Sequence, residues 1–438
     1  MSVVTRIPPS PTGRLHIGTA RTALFNFLYA RHHGGTVLFR SEDTDRKRSK
    51  KEYENEIIEG LNWLGLSWDS FSRQSERAPR YREVLEASIA ADHAYLSKEP
   101  AKDDPTRTVE VVRLRNPGRE IVFKDVVHGD INMHTGDLGD FVIARSIDDA
   151  IYHFAVVVDD MDGEVTHIIR GEDHISNTAR QILIQEVIGA PRPTYAHIPL
   201  ILDEKRAKLS KRSDTAVSVA DYRAEGVLPE ALVNYLALLG WSPGDDREHF
   251  SIDALIEEFS LESIQKSGAS WNREKLRSVN QRWMRLLSDE AFIARGGFET
   301  TDALRLAKAI PLLKERARTF AEAKEMLAGE LACLFSSPTP SREGLLKKQS
   351  VEKPEATKRH LEAAIDILAS METMETSEAA KNTLMPYAEK EGKGEVLWPL
   401  RYALSGQERS PDPFTIISII GKEESLGRIR TALAILEG

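Results

Sequence analysis

The 438-residue chain contains a single cysteine, Cys333, and no apolar run approaching the roughly 20 residues that a membrane-spanning helix needs. One thiol excludes a disulfide within the chain and fits a reducing compartment. We read Cys333 as a small buried hydrophobe on a helix. An excess of positive charge is also missing, with 59 Lys and Arg against 68 Asp and Glu, a formal net charge of −9. That balance argues against a non-specific nucleic-acid binder, although a basic surface can be local while remote faces stay acidic. Met1-Ser2-Val3-Val4-Thr5-Arg6 enters an apparent strand at once, so no secretory signal and a cytoplasmic location are expected. There is no internal repeat and no low-complexity tract. His32-His33, His128 and His134 lack metal-ligand spacing, and residues 92–140 contain no cysteine. No metal ligand is therefore assigned. What is present, 41% hydrophobic and 29% charged residues, is the make-up of a globular protein. A chain of this length implies about three domains.

Two stretches stand out. Lys208-Leu209-Ser210-Lys211-Arg212 follows the apolar run His197-Ile198-Pro199-Leu200-Ile201-Leu202. Near the N-terminus, Pro11-Thr12-Gly13-Arg14-Leu15-His16-Ile17-Gly18-Thr19 follows the apolar run 3–7. Alone, the lysine pentapeptide would be a solvated loop and His16 a turn residue. Paired, they read as two halves of one nucleotide site. Adenylyl transfer spreads negative charge over the α-phosphate and the departing pyrophosphate, so its catalysis is mostly positioning and electrostatics. Lys208 and Lys211 can close on phosphate while His16 donates from the other side. Gly18 lets the backbone approach a nucleotide, and the free N–H groups of the following helix face anionic oxygens.

Along the chain, residues 3–7 predict a buried strand, ended by Pro8-Pro9-Ser10-Pro11-Thr12-Gly13. A helix follows from Gly18, stopped by Gly34-Gly35, and then a strand over 36–40. Ser41-Glu42-Asp43-Thr44-Asp45-Arg46 lies beyond that strand's carboxyl end, the ligand-binding side of an open α/β sheet. A helix is expected over 51–66. Residues 98–105 look polar and broken, and 109–114 and 121–127 alternate as strands. The run 198–202 reads as a strand, with Ser176 or Asn177 capping the helix before it. From about Asp289 onward only helices are expected, with Ser336-Ser337-Pro338-Thr339-Pro340-Ser341 as a linker. Arg6 and Arg170 sit at strand ends, where a buried guanidinium needs a carboxylate. Asp159, Asp160 or Asp173 could supply it structurally, or a dicarboxylic ligand could.

The paired motifs resemble the HIGH and KMSKS signatures of class I aminoacyl-tRNA synthetases, and their surroundings resemble bacterial-type glutamyl-tRNA synthetase. Thr19 stands where the general motif has a second histidine. The resemblance implies an α/β fold: a Rossmann-type nucleotide-binding domain split by an α+β insertion, then a helical stem-contact region and all-α anticodon-binding modules. The boundaries expected are 1–80 and 148–202 for the two Rossmann halves, and 81–147 for a shortened acceptor-binding insertion. The lysine loop and stem-contact domain would occupy 203–287, and the anticodon modules 288–350 and 351–438. It further implies ATP-dependent ligation of L-glutamate to the 3′ end of tRNA(Glu) through a glutamyl-adenylate. The catalytic residues would be His16, Lys208 and Lys211, with Gly18, Thr19 and Ser210 joining them at ATP. Arg6, Ser10, Glu42, Tyr152 and Arg170 would bind glutamate, Glu42 receiving its α-amino group. Mg²⁺ would accompany ATP. Zinc is not expected, because the cysteine cluster that many bacterial members carry in the insertion is absent. The partners are tRNA(Glu), with tRNA(Gln) left open, and a monomer without membrane attachment is expected. Glutaminyl enzymes read Pro-Glu-Pro-Asn-Gly where this chain has Pro9-Ser10-Pro11-Thr12-Gly13. A small nucleotidylyltransferase would lack the helical C-terminal region, and a non-catalytic RNA-binding paralogue would have little reason to keep His16, Gly18, Lys208 and Lys211.

Overall fold

A computed structural model describes residues 2–101, 104–203, 205–207, 218–299, 302–347, 354–371 and 376–437. The chain divides into two compact units, Met1–Val279 and Asn280–Gly438. Lys208, Ser210 and Lys211 lie outside the described residues.

The first unit is built on strands whose apolar residues are buried on both sides, as a helix-covered parallel sheet requires. β1 (Val4–Ile7) leads through α1 (Ile17–His32) to β2 (Thr36–Ser41), parallel and in register Val4↔Thr36. After α2 (Lys51–Trp63), β3 (Ser70–Arg73) pairs parallel to β2. Gly34 and Gly65 end the two helices with φ of +60° and +77°, the left-handed conformation that glycine adopts without strain.

α3 (Ala78–Ala90) opens the next segment, followed by β4 (Ala94–Pro100), β5 (Thr108–Leu114), β6 (Glu120–Asp125), β7 (Gly129–His134), β8 (Phe141–Ser146) and β9 (Asp149–Ala150). β4, β5, β8 and β9 form an antiparallel sheet in that order. The polar stretch expected at 98–105 is instead extended through Pro100: Lys98 pairs with Glu110 and Pro100 with Thr108. β4 is an edge strand, where alternate polar residues face water and proline is tolerated at the end. The hairpin β6–β7 leaves this sheet and joins the nucleotide half, Asp125 lying opposite Tyr195. Ile121 and Phe123 of β6 share one core with Phe154, Ile168 and Tyr195.

The chain then returns through α4 (Tyr152–Asp162), β10 (His167–Gly171), α5 (Ile175–Ile188), β11 (Thr194–Ile198) and β12 (Ile201–Leu202). β10 and β11 are parallel. The single strand expected over 198–202 is broken because Pro199 has no N–H to donate. β12 pairs instead with Ala269–Ser270. The side-chain cap expected from Ser176 or Asn177 is not formed. α5 starts earlier, at Ile175, out of a 3₁₀ turn over Glu172–His174, and the Asn177 amide lies 3.2 Å from His174 Nδ1.

β1 and β10 are neighbours without a ladder. Only their amino ends are tied, by Val4 N–H to Thr166 Oγ1 (2.8 Å) and Thr166 N–H to Val4 O (3.0 Å). Higher up, Asn26 of α1 fills the seam, donating to Ile169 O at 2.9 Å and accepting from Thr5 Oγ1 at its own carbonyl (2.9 Å). The two half-sheets, β3-β2-β1 and β10-β11-β6-β7, therefore part toward their carboxyl ends. This is the switch point where open α/β sheets bind ligands.

In the second unit every described element is helical, and side-chain caps start the helices at Ser288, Thr319, Ser341, Thr376 and Asp412. The expected linker 336–341 does not separate free modules. Arg428, 5% exposed, donates to Cys333 O and Leu404 O (both 2.7 Å) and Ser336 O (3.2 Å). Arg305 also binds Glu424, and Pro340 is buried. These long-range partners make residues 280–438 one body.

Candidate active site

A cavity of about 550 Å³ opens above the carboxyl ends of β1 and β10. Arg6, Ser10, His16, Gly18, Thr19, Glu42, Tyr152 and Arg170, all singled out from the sequence, line it together. They come from six separate places in the chain: β1, the proline turn, the start of α1, the end of β2, the start of α4 and β10.

The proline turn is rigid and tied down. Thr12 N–H donates to Ser10 O (2.8 Å) and Glu42 N–H to Pro9 O (2.9 Å). His16 is the N-cap of α1, its Nδ1 accepting the Gly18 N–H at 3.0 Å. That bond puts the ring proton on Nε2, so His16 can donate there. A Cβ on Gly18 would sit 3.3 Å from His16 Nδ1, so glycine protects this cap as well as the backbone's approach to the cavity. Ser218 bridges His16, and Val219 N–H donates to Leu15 O at 2.9 Å.

The two arginines are held differently. Arg6 is 2% exposed; its Nε lies 3.3 Å from Asp160 Oδ1, and its Nη1 has no hydrogen-bond partner among the described residues. Arg170 donates from Nε to His197 Nε2 (3.1 Å), from Nη1 to Gln181 Oε1 (2.7 Å) and from Nη2 to Thr178 Oγ1 (2.8 Å). All three acceptors are neutral. Among the described residues no carboxylate lies within ion-pair distance of Arg170. Burial lowers its pKa, with Arg6 adding to the effect.

Arg40 and Arg21, which the sequence reading passed over, and Asp160, one of the three carboxylates it offered to the buried arginines, complete the surroundings. Arg40 of β2 bridges Asp160 (2.6 Å) and Glu42 (2.9 Å). Asp159 is satisfied elsewhere, by Arg77 Nε (2.6 Å), Gln74 Nε2 (2.8 Å) and Tyr81 OH (2.9 Å). Burial works to raise the Asp160 pKa, but Arg40 and Arg6 outweigh it and the carboxylate is held low. For Glu42 burial wins over Arg40 and the pKa is raised, which makes an added cation beside it favourable. Burial, with Glu42 nearby, pushes the Tyr152 phenol up to about 12, so it stays a donor. His174 is lowered to about 4 by burial and by Arg170, so it is neutral near pH 7. Arg21 of α1 lines the cavity and is lowered to about 10 by burial. It donates to Leu239 O (2.8 Å) and Pro199 O, tying the helix to later segments. The signal for Arg21 and Arg40 was a charged residue inside an otherwise apolar stripe.

Neither His128 nor His134 lines this cavity; His128 Nε2 lies 3.8 Å from Glu172, and His134 Nδ1 accepts the Gly136 N–H at 3.2 Å. Among the described residues there is no group of three or more His, Cys, Asp or Glu that could hold a metal ion. Nor is any described helix long and apolar enough to cross a membrane.

A split parallel sheet with a histidine-capped helix at its switch point is the fold of a class I aminoacyl-tRNA synthetase. The family model for the catalytic domain of class I tRNA synthetases (E and Q) matches residues 2–104 and 96–278, and that for an anticodon binding domain matches 274–433. Glutamate–tRNA ligase 1 of Mesorhizobium japonicum and that of Brucella melitensis are each 41% identical, over 98% of both chains. The crystal structure of a glutamate tRNA ligase from Elizabethkingia meningosepticum, in complex with its amino acid, is similar over 100% of both chains at 31% identity (TM-score 0.87). The chain belongs to the glutamate–tRNA ligase family.

Proposed function

We propose that the cavity between β1 and β10 brings glutamate and ATP together. As a glutamate–tRNA ligase, the protein charges tRNA(Glu) with glutamate at the expense of ATP. The observation carrying the residue assignment is a matching set of charges. Glutamate offers two carboxylates and one ammonium; of the three buried guanidiniums lining the cavity, Arg21 is tied to the carbonyls of Leu239 and Pro199, which leaves Arg170, without an anionic partner among the described residues, and Arg6, whose Nη1 has no hydrogen-bond partner among them, with Glu42 as the buried carboxylate. Arg6 and Arg170 take the carboxylates and Glu42 the ammonium. Ser10 and Tyr152 hydrogen-bond the same molecule.

The α-carboxylate oxygen then attacks the α-phosphorus of ATP, and the bond to the bridging oxygen breaks to release pyrophosphate. The terminal ribose hydroxyl of tRNA next attacks the glutamyl carbonyl, and AMP leaves. His16 donates from Nε2 to phosphate, Thr19 presents a backbone N–H at the start of α1, and Gly18, whose own N–H caps onto His16, leaves room for the nucleotide. Lys208, Ser210 and Lys211 act on the phosphates, and Ser218, beyond them in the chain, bridges His16. Mg²⁺ bound with ATP would supply further charge screening. With one cysteine, far in sequence from the insertion, the chain has no basis for a structural zinc cluster there.

Within this reading 1–80 and 148–202 bind the small substrates, 81–147 contacts the acceptor end, 203–287 the stem, and 288–350 with 351–438 the anticodon. The enzyme acts as a cytoplasmic monomer. The test is transfer of labelled glutamate, glutamine or aspartate to purified tRNA(Glu) and tRNA(Gln). Glutamate alone should be transferred; comparable transfer of glutamine would sink the charge-matching assignment. The same assay decides whether tRNA(Gln) is also an acceptor.

A further inference from the structure

Arg170 is oriented by a chain of groups that the reaction itself does not touch. His197 lies directly across from it on β11, in the register Arg170↔His197. Its Nε2 accepts from Arg170 Nε at 3.1 Å, and its Nδ1 lies 2.6 Å from Asp125 Oδ2. Both His197 and Asp125 side chains are fully buried. Asp125 also accepts the N–H groups of Val127 (3.0 Å), His128 (2.9 Å) and His197 (3.0 Å), so it cannot swing away.

This arrangement admits one state of the imidazole. A guanidinium has only donors, so Nε2 must present a lone pair, and Nδ1 must carry the proton that goes to Asp125. Burial and the Arg170 charge keep the ring neutral although Asp125 opposes them. An aspartate in direct contact would orient Arg170 equally well but would neutralise it. The interposed imidazole transmits direction without the charge. Thr178 and Gln181 of α5, also neutral, complete the set.

We propose that His197 and Asp125 are positioning residues for glutamate: they lock the Arg170 guanidinium in place while leaving its charge for a substrate carboxylate. The proposal rests on the reading of Arg170 as a carboxylate-binding residue. It also gives the segment between the two catalytic halves a part in amino-acid binding, because Asp125 ends β6 of that segment.

The test uses the full chain in tRNA charging, with KM for glutamate, KM for ATP and thermal stability measured for Arg170→Gln, His197→Phe, His197→Gln and Asp125→Asn. Misplacement by about 1 Å can cost ~10²-fold, so His197→Phe and Asp125→Asn should raise the KM for glutamate about 10-fold or more, with KM for ATP little changed. The Asn variant acts by allowing the wrong tautomer, which would turn an N–H toward Arg170. Gln at position 197 retains an acceptor and should recover most of the loss. If Arg170→Gln raises the KM but His197→Phe does not, the positioning role is wrong and the pocket assignment stands. If Arg170→Gln leaves the KM unchanged, the pocket assignment itself fails. Equal losses in all three relay variants, matched by KM for ATP or by lost stability, would make the relay merely structural and overturn the proposal.

Discussion

Arg6 and Arg170 line the cavity and Arg40 is buried beside Glu42, and the structure separates these three arginines by what each holds. Arg40 joins Asp160 at 2.6 Å and Glu42 at 2.9 Å, and lies 3.8 Å from Asp159. Removing it strands buried carboxylates, a change that costs about 3–5 kcal/mol. For a domain of this size each kcal/mol moves the melting temperature by about 2–4 °C, so Arg40→Met should lower Tm by roughly 10 °C. Arg170 has no carboxylate to strand. Its removal relieves a buried charge and leaves three neutral acceptors, and Thr178 Oγ1 lies 3.3 Å from His197 Nε2, close enough to satisfy it. Arg170→Met should therefore lower Tm less than Arg40→Met does. Its main cost appears on binding, where one substrate carboxylate is left buried and unpaired. At about 1.4 kcal/mol per tenfold, the same 3–5 kcal/mol becomes a rise of about 10²–10³ in the KM for glutamate. Arg6→Met should behave like Arg170→Met, since Asp160 keeps Arg40. At least one of the two should narrow the preference for glutamate over glutamine. The assays are thermal unfolding and tRNA charging at varied glutamate and ATP. A wild-type KM for glutamate in both Arg6 and Arg170 variants would show that these arginines are structural.

Three further outcomes follow from other parts of the chain. Lys211→Ala should lower kcat for ATP–pyrophosphate exchange by about 10²–10³ with a smaller change in KM for glutamate, as expected for a donor to developing phosphate charge; a near-normal kcat would remove Lys211 from the site. Arg428→Met breaks bonds to three carbonyl oxygens at 2.7, 2.7 and 3.2 Å, and should destabilise the second unit by about 3 kcal/mol while weakening tRNA charging through KM for tRNA; unfolding at the wild-type temperature would contradict this. Burial and the positive charges of Arg180 and Arg170 lower the His153 pKa to about 4, below its ordinary value near 6.5, so the unfolded chain binds the extra proton between these values. Stability carried by His153 is thus complete above pH 6.5 and lost as the pH falls toward 4, and His153→Gln should flatten that part of the stability–pH curve; an unchanged slope would refute it.

Much of the cavity could be read from sequence because its residues sit at punctuation points. Arg6 and Arg170 close apolar runs, Glu42 follows one, and His16 and Gly18 stand at the start of a helix. In an α/β sheet those points converge by topology alone, so local pattern implies a shared location. The same logic located the glycine-ended helices and the helical C-terminal third. It failed where pairing decided the outcome. Lys98 and Glu99 look like loop residues until β5 supplies them with partners, and the run around Pro199 looks continuous until a missing N–H interrupts it.

The partners of the arginines were the least legible part, for a physical reason. Sequence marks a buried cation as needing a partner and offers Asp159, Asp160 or Asp173, but does not say which carboxylate serves which arginine. Asp160 serves both Arg6 and Arg40, while Asp159, its chain neighbour, turns to Arg77, Gln74 and Tyr81. Adjacent residues on a helix point about 100° apart, so the pair Asp159-Asp160 necessarily divides between two surroundings. Arg170 in turn is served by His197 and, beyond it, by Asp125 from a segment that sequence assigns to a separate insertion. That assignment hides the contact by which Asp125 of β6 supports Arg170 through His197. An arginine whose partners among the described residues are neutral keeps its charge for an anion. Arg6 shares Asp160 with Arg40 but has Nη1 without a hydrogen-bond partner among the described residues, whereas Arg40, joined to both Asp160 and Glu42, belongs to the scaffold.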